Sequence, residues 1–245
     1  MRKFFVILLL LIPFTLGAQT SYNMLLEYSM QTNFGITTNY QSQLYCSPTE
    51  ALFVYQDERK EDINNSDLSG LSIEYFKADT TQYFIRTDSA ISSLARSDEN
   101  ETGFVILKEE LPQIVWNIES EFKNIDGHEC VKATCTFRGR DYIAWYAPEI
   151  PIHFGPFKFH GLPGAILELS DSKQEVIFTL RKVIIDEAVT LPQGLKDDYP
   201  IIPREQYKKA SKEKYDKLKR ALTSRADRNM QISVTSFKVN AIEMD

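Results

Sequence analysis

The sequence lacks the short motifs that carry most enzyme and metal chemistry. It contains no Cys-x-x-Cys pair, no His-Glu-x-x-His, no P-loop and no Gly-x-Ser-x-Gly. Its formal net charge of -6 argues against nucleic acid as a partner, because contacts to phosphates need a surplus of Lys and Arg. We therefore expect no bound cofactor, no nucleic-acid partner and no catalytic residues that can be named from the sequence.

One apolar run stands at the start of the chain, and no second run approaches the length of a membrane span. Arg2 and Lys3 precede the apolar residues 4–14, and small residues lead to Ala18. This pattern predicts a secretory signal peptide over residues 1–18 that is cleaved after Ala18, and a mature protein in the periplasm or cell envelope. The alternative is an uncleaved anchor helix, but the run is shorter than the roughly 20 residues that cross a bilayer.

Cysteine is scarce, with three residues in the chain. Cys130 and Cys135 lie five residues apart on a predicted strand, where they would point to opposite faces and stand about 16 Å apart, too far for a disulfide. An exported protein is exposed to oxidising conditions. The sequence therefore leaves two alternatives: a disulfide from Cys46 to Cys130 or Cys135, or three buried free thiols.

Short segments rich in Tyr, Phe, Ile, Val and Thr dominate the chain, a composition typical of strands rather than helices. The predicted strands are residues 23–31, 39–46, 50–56, 71–77, 81–87, 103–108, 116–125, 129–138, 141–147, 165–169 and 174–185. Asp126-Gly127 and Gly139 tolerate the positive φ that tight hairpin turns require. Residues 19–245 are thus predicted to form a single β-rich domain that contains an antiparallel meander.

Residues 203–230 show apolar side chains at roughly helical spacing, and Pro203 suits a first helical turn. They predict one long C-terminal amphipathic helix with a basic face. That face suits peripheral contact with anionic lipid headgroups, and the alternative is a solvated face of a helix packed on the sheet. Residues 231–242 alternate as a final strand. The predicted fold is α+β, mostly antiparallel, with a curved, half-barrel-like meander sheet.

Residues 148–164 combine prolines and glycines that pre-set the backbone with aromatic side chains that alternate too regularly for a solvated loop. We expect this segment to pack against its own sheet or against a ligand. The predicted ligand or partner surface comprises Trp145, Tyr146, His153, Phe154, Gly155, Pro156, Phe157, Phe159, His160, Gly161, Leu162, Pro163 and Gly164. The alternative is that the aromatic residues fill the core.

The motif Gly161-Leu162-Pro163-Gly164-Ala165-Ile166 resembles the GLPGLI family of bacterial envelope proteins. Further matching positions are Gly127 with Cys130, Gly139-Arg140, Trp145-Tyr146 and Gly155-Pro156. The chain departs from the family motif at Ala165, where the family has Leu. The resemblance implies an exported protein of a Gram-negative bacterium and no established biochemical activity.

Three hypotheses of function follow. The first is a non-enzymatic binding or accessory protein for an apolar small molecule or an envelope protein. The second is a periplasmic metal-handling protein in which His153 and His160 bind a divalent ion, and its alternative is that each imidazole bonds a backbone group. The third is a hydrolase, for which the sequence offers no convincing nucleophile and base.

Overall fold

The computed structural model describes residues 22–35, 37–57, 82–87, 89–97, 103–185, 189–191 and 199–225. The predicted signal peptide, the predicted strand over residues 71–77 and the predicted final strand over residues 231–242 lie outside these residues. Among the described residues, no helix has the length and apolar character needed to span a membrane.

One sheet carries almost all of the regular structure, and its strands lie close to the predicted segments. The twelve strands in the described part of the chain are β1 (Met24–Asn33), β2 (Thr37–Cys46), β3 (Glu50–Asp57), β4 (Gln82–Thr87), β5 (Ala90–Arg96), β6 (Phe104–Glu110), β7 (Asn117–Ile125), β8 (His128–Phe137), β9 (Arg140–Ala147), β10 (Ala165–Asp171), β11 (Val176–Ile185) and β12 (Ile201–Pro203). Their spatial order is β12-β6-β5-β4-β3-β2-β1-β11-β10-β9-β8-β7.

Consecutive strands pair antiparallel over most of the sheet, and two pairings depart from this pattern. β1 pairs with β11 in the middle of the sheet, so two strands that are far apart in the sequence are neighbours in space. β12 pairs with β6 in parallel, so the sheet is mixed. The meander β7-β8-β9 is confirmed, and its turns use positive φ at Asp126 and Gly127 and at Arg138 and Gly139.

The two faces of the sheet bury different sets of side chains, because neighbouring residues on a strand point to opposite faces. Leu26, Leu44 and Phe53 belong to the large core, which also includes the aromatic residues of segment 148–164. We call this side the loop face. Leu25 and Tyr45 belong to a smaller cluster on the other side, which we call the second face.

The predicted half-barrel with a long amphipathic helix is wrong. The protein is mostly β, with an open, mixed twelve-stranded sheet and one described helix, α1 (Arg204–Arg225). The sheet order places β12 and β7 at opposite ends, so the sheet does not close. Helix α1 contacts β12 and β6, while nearly all its described side chains beyond Ala210 are exposed.

Candidate functional site

Segment 148–164, which we call the loop, folds back on itself as a small hairpin. Phe154 and His160 form an isolated antiparallel bridge. The amide of Gly155 donates to the carbonyl of Phe159 at 2.8 Å, and the amide of Gly161 donates to that of His153 at 2.7 Å. These bonds fix both arms of the hairpin, so the loop is an ordered element.

Two glycines of the Gly-Leu-Pro-Gly motif are required for different reasons. Gly161 has φ of +90°, a conformation that residues with a Cβ rarely adopt. At Gly164 an added Cβ would lie 2.3 Å from the carbonyl oxygen of Ala147 and 2.8 Å from the Cα of Pro148. The first glycine therefore allows the turn, and the second allows the close approach of two backbone segments.

The aromatic side chains of the loop are core residues rather than surface residues. Phe154 and Phe157 are buried, and Phe159 is fully buried. The ring centroid of Phe159 lies 4.7 Å from that of Tyr142 and 5.2 Å from that of Phe137. The loop thus completes the hydrophobic layer on the loop face of the sheet.

The residues that the sequence predicts as a ligand or partner surface differ in how far they are buried. Eight of them are buried and unavailable to a partner, namely Tyr146, Phe154, Gly155, Pro156, Phe157, Phe159, Leu162 and Gly164. Trp145 and His160 are half-buried, and His153, Gly161 and Pro163 are exposed. The exposed residues form the rim of the loop.

Arg86, on β4, joins the sheet to the loop from inside the core. Its side chain is fully buried, and its two terminal nitrogens donate to the carbonyls of Phe159 at 2.5 Å and Gly155 at 2.6 Å. Its guanidinium carbon lies 5.5 Å from the ring centroid of Phe154. Burial lowers the pKa of Arg86 to about 10, and the nearby Cys46 and Tyr28 oppose that shift.

No motif or spacing in the sequence marks Arg86 as a functional residue. A charged residue inside a strand with otherwise apolar and polar neighbours is a weak signal, because such residues usually point to solvent. The two carbonyls that it binds belong to a segment 69 and 73 residues away. This pairing across the fold is visible only in the structure.

A second polar anchor forms around Glu109, on β6. Its carboxylate accepts from Lys158 of the loop at 2.5 Å and from Arg138 of the β8-β9 turn at 2.9 Å. Arg204, the first residue of α1, lies 3.3 Å from the same carboxylate. One half-buried carboxylate therefore ties the loop, a hairpin turn and the start of the helix together.

The histidines lie in different surroundings. The Nε2 atom of His160 lies 2.8 Å from the carbonyl of Pro112, and burial lowers the pKa of this imidazole. His153 is exposed, and His128 pairs with Glu149. No group of three or more ligand-type side chains that could hold a metal ion occurs among the described residues. The two-histidine metal site stays a prediction.

All three cysteines are buried free thiols in the structure, which matches the second of the two alternatives for them. Cys46 ends β2, and Cys130 and Cys135 lie on β8. Burial raises the pKa of Cys46 and Cys135 to about 12 and that of Cys130 to about 11. Thiols with such pKa values are almost fully protonated near neutral pH, so they are poor nucleophiles.

The exposed rim of the loop contacts an edge of the sheet that carries exposed apolar side chains. Trp116 packs on Gly161 and donates from its indole nitrogen to the carbonyl of His160 at 2.8 Å. On either side of this anchor, large apolar side chains point into solvent. Val115, Ile118 and Phe122 are 76%, 53% and 64% exposed, and we call them the edge patch.

A family model described as "Protein of unknown function (Porph_ging)" matches residues 138–168. That stretch contains Gly139-Arg140 and Gly161 to Ile166, on which the resemblance to an envelope family rests. No curated protein matches the chain.

Two solved structures, of PNGF-II in the P21 and C2 space groups, are similar to this chain with TM-scores of 0.52 and 0.51. The sequence identities are 14% and 16%, and each match covers 77% of this chain. The chain spans about one third of the PNGF-II chain, with 33% and 32% covered. The likeness is one of fold, and the chain also carries a short match to a family of unknown function.

Proposed function

We propose that this chain is an exported cell-envelope protein of the GLPGLI type that acts by binding a protein partner. The short family match, which includes the motif residues, supports the family assignment. The observation that carries the binding role is the edge patch, where three large apolar side chains stand in solvent beside the anchored rim of the loop. Clusters of this kind mark interaction sites more often than singly exposed apolar residues do.

Two of the three side chains of the edge patch, Ile118 and Phe122, lie on the same side of the sheet. Ile118 lies opposite Ala133 of β8, and Phe122 lies opposite Val131. Ala133 belongs to the core of the loop face, and Val131 packs against that core. Ile118 and Phe122 therefore extend the apolar layer of the loop face onto the edge strand β7, where a partner with a complementary apolar surface would cover them.

The partner is expected to recognise side chains rather than to add a strand. Between Ile118 and Phe122 the pairing with β8 shifts register, and residues 119–121 lie opposite Lys132 alone. Glu119 and Glu121 both bind the Lys132 ammonium, each at 3.0 Å. An irregularity of this kind interrupts the row of backbone groups that an added strand needs.

A protein partner is favoured over an apolar small molecule. The aromatic residues expected to line a ligand pocket pack on one another instead. Tyr142 is 1% exposed and contacts Phe159, which is fully buried. An apolar ligand would have to displace this packing.

The partner role is tested by placing a photoreactive amino acid at Phe122 in cells that express the protein from its own genome. We expect one discrete cross-linked protein, and we expect Phe122→Lys to abolish its co-purification while the folded protein keeps its stability. Ser172→Lys, at an exposed turn away from the edge patch, is the matched control. Equal co-purification by the Phe122→Lys variant would overturn the proposal.

Export is tested separately by fractionation and by the mass of the mature chain. The proposal expects an envelope protein that begins at Gln19. A cytoplasmic protein that retains residues 1–18 would remove the envelope role, whatever the edge patch binds.

A further inference from the structure

The second face of the sheet carries an open groove where its apolar cluster ends. The groove has a volume of about 610 Å³ and crosses β1, β2 and β3 next to β11. Its lining includes the apolar Val54 and the polar residues Glu27, Ser29, Gln43 and Arg181. This volume lies within the range of sites for small molecules, roughly 300–1,000 Å³.

A register shift places the arginine of this groove. Tyr28 lies opposite Leu180 and Glu27 opposite Lys182, so Arg181 is an extra residue in β11. Its Nε donates to the hydroxyl of Ser29 at 3.1 Å. Bulges redirect side chains in this way, and here the bulge brings a guanidinium to the hydroxyl that borders the groove.

Neither of the two opposite charges in the groove has an ion-pair partner among the described residues. Glu27 is half-buried and makes no hydrogen bond or ion pair with any described residue. Arg181 is exposed, and Ser29 is its hydrogen-bond partner among the described residues, which leaves its terminal N–H groups available. A half-buried carboxylate, together with a guanidinium whose hydrogen bond is to a neutral hydroxyl, is suited to binding a ligand that carries charged groups.

The amides of the groove add neutral hydrogen-bonding capacity. Gln41 and Gln56 are exposed at its rim, and Gln43 is held in place because it accepts from the hydroxyl of Tyr45 at 2.9 Å. A primary amide offers both a donor and an acceptor, as a peptide group does. The polar lining thus combines one anion, one cation and several amides.

We propose that this groove binds a small dipolar ligand that carries both a carboxylate and an ammonium group, the chemistry of a free amino acid or a short peptide. The ligand carboxylate binds the terminal nitrogens of Arg181, and the ligand ammonium binds Glu27. The glutamine amides bind the peptide group. This site lies on the face opposite the loop and does not depend on the edge patch.

The experiment is calorimetric titration of the full-length mature protein with L-alanine, with L-alanyl-L-alanine and with two blocked forms of the dipeptide. The N-acetylated form lacks the ammonium, and the C-amidated form lacks the carboxylate. We expect one or both dipolar probes to bind and each blocked form to bind up to about fivefold more weakly, since one partly exposed ion pair is worth up to about 1 kcal/mol.

Two variants assign the charges. Arg181→Gln should weaken binding of the dipolar probe and leave binding of the C-amidated form unchanged, because that form has no carboxylate to lose. Glu27→Gln should weaken binding of the dipolar probe and leave binding of the N-acetylated form unchanged, because that form has no ammonium group. Lys173→Gln, at an exposed turn outside the groove, is the matched control. The proposal is overturned if no dipolar probe binds at millimolar concentration, or if either charge variant binds the dipolar probe as tightly as the control does.

Discussion

Replacing Arg86 with methionine tests whether one buried guanidinium holds the loop on the sheet. Methionine has a similar length, so the change removes the charge and both donors while it leaves a small cavity. The carbonyls of Gly155 and Phe159 then lose the bonds of 2.6 and 2.5 Å that Arg86 donates. The Gly155 amide still reaches the Phe159 carbonyl, so the hairpin itself keeps its own bond.

The expected loss of stability is a difference between two opposing effects. The Gly155 carbonyl loses its side-chain partner, which costs about 1–3 kcal/mol, and the Phe159 carbonyl loses one of its two bonds, which costs about 0.5–1.5 kcal/mol. Removing a fully buried charge relieves a desolvation penalty of several kcal/mol that hydrogen bonds to neutral carbonyls only partly offset. We expect Arg86→Met to lower the free energy of unfolding by about 1–3 kcal/mol.

Urea denaturation followed by tryptophan fluorescence measures this loss. Arg181→Met removes the same group from an exposed position and should change the free energy of unfolding by less than about 0.5 kcal/mol. An Arg86→Met protein that is as stable as wild type would refute the idea that this side chain anchors the loop.

Two further predictions concern backbone packing and the thiols. Gly164→Ala should destabilise the protein by more than Gly155→Ala does. The new Cβ meets the Ala147 backbone at 2.3 Å in the first variant and the movable Ile166 side chain at 2.6 Å in the second. Thermal unfolding of both variants measures the difference, and a lower stability for Gly155→Ala would contradict the prediction. Stability should also fall above pH 9, since the unfolded Cys46 thiol ionises near 9.0 while the folded one has a pKa of about 12. The slope from this thiol is about 1.4 kcal/mol per pH unit. Unfolding measured between pH 9.5 and 11 should show a shallower slope for Cys46→Ala, and identical slopes would count against the assignment.

Local signals in the sequence account for much of the sheet. The β-branched and aromatic residues predict β1 to β4 and β6 to β11 to within a few residues, and the Asp126-Gly127 turn is correctly placed. β5 was missed because its centre, Ser92-Ser93, has low strand propensity. β12 is three residues long and pairs in parallel with β6, a contact that no local pattern indicates.

The closure of the sheet and the role of the loop depend on contacts between distant residues. A half-barrel and an open sheet share the same alternating strands, and the difference lies in which strands end the sheet. The regular spacing of apolar residues that includes Phe154, Phe157 and Phe159 predicts that the loop packs against something apolar, and it does not distinguish the core from a ligand surface. In the structure, Arg86 donates to the Phe159 carbonyl and Phe159 packs on Tyr142, so these aromatic residues belong to the core.

The central claim of this account is that the loop is a structural part of the core and that the edge patch beside it remains open. Amide hydrogen exchange of the mature protein tests this claim most directly. The amides of Gly155, Phe159 and Gly161, all hydrogen-bonded within the loop, should exchange nearly as slowly as those of the central strand β1. Exchange of these three amides at the rate of an unstructured peptide would contradict the account.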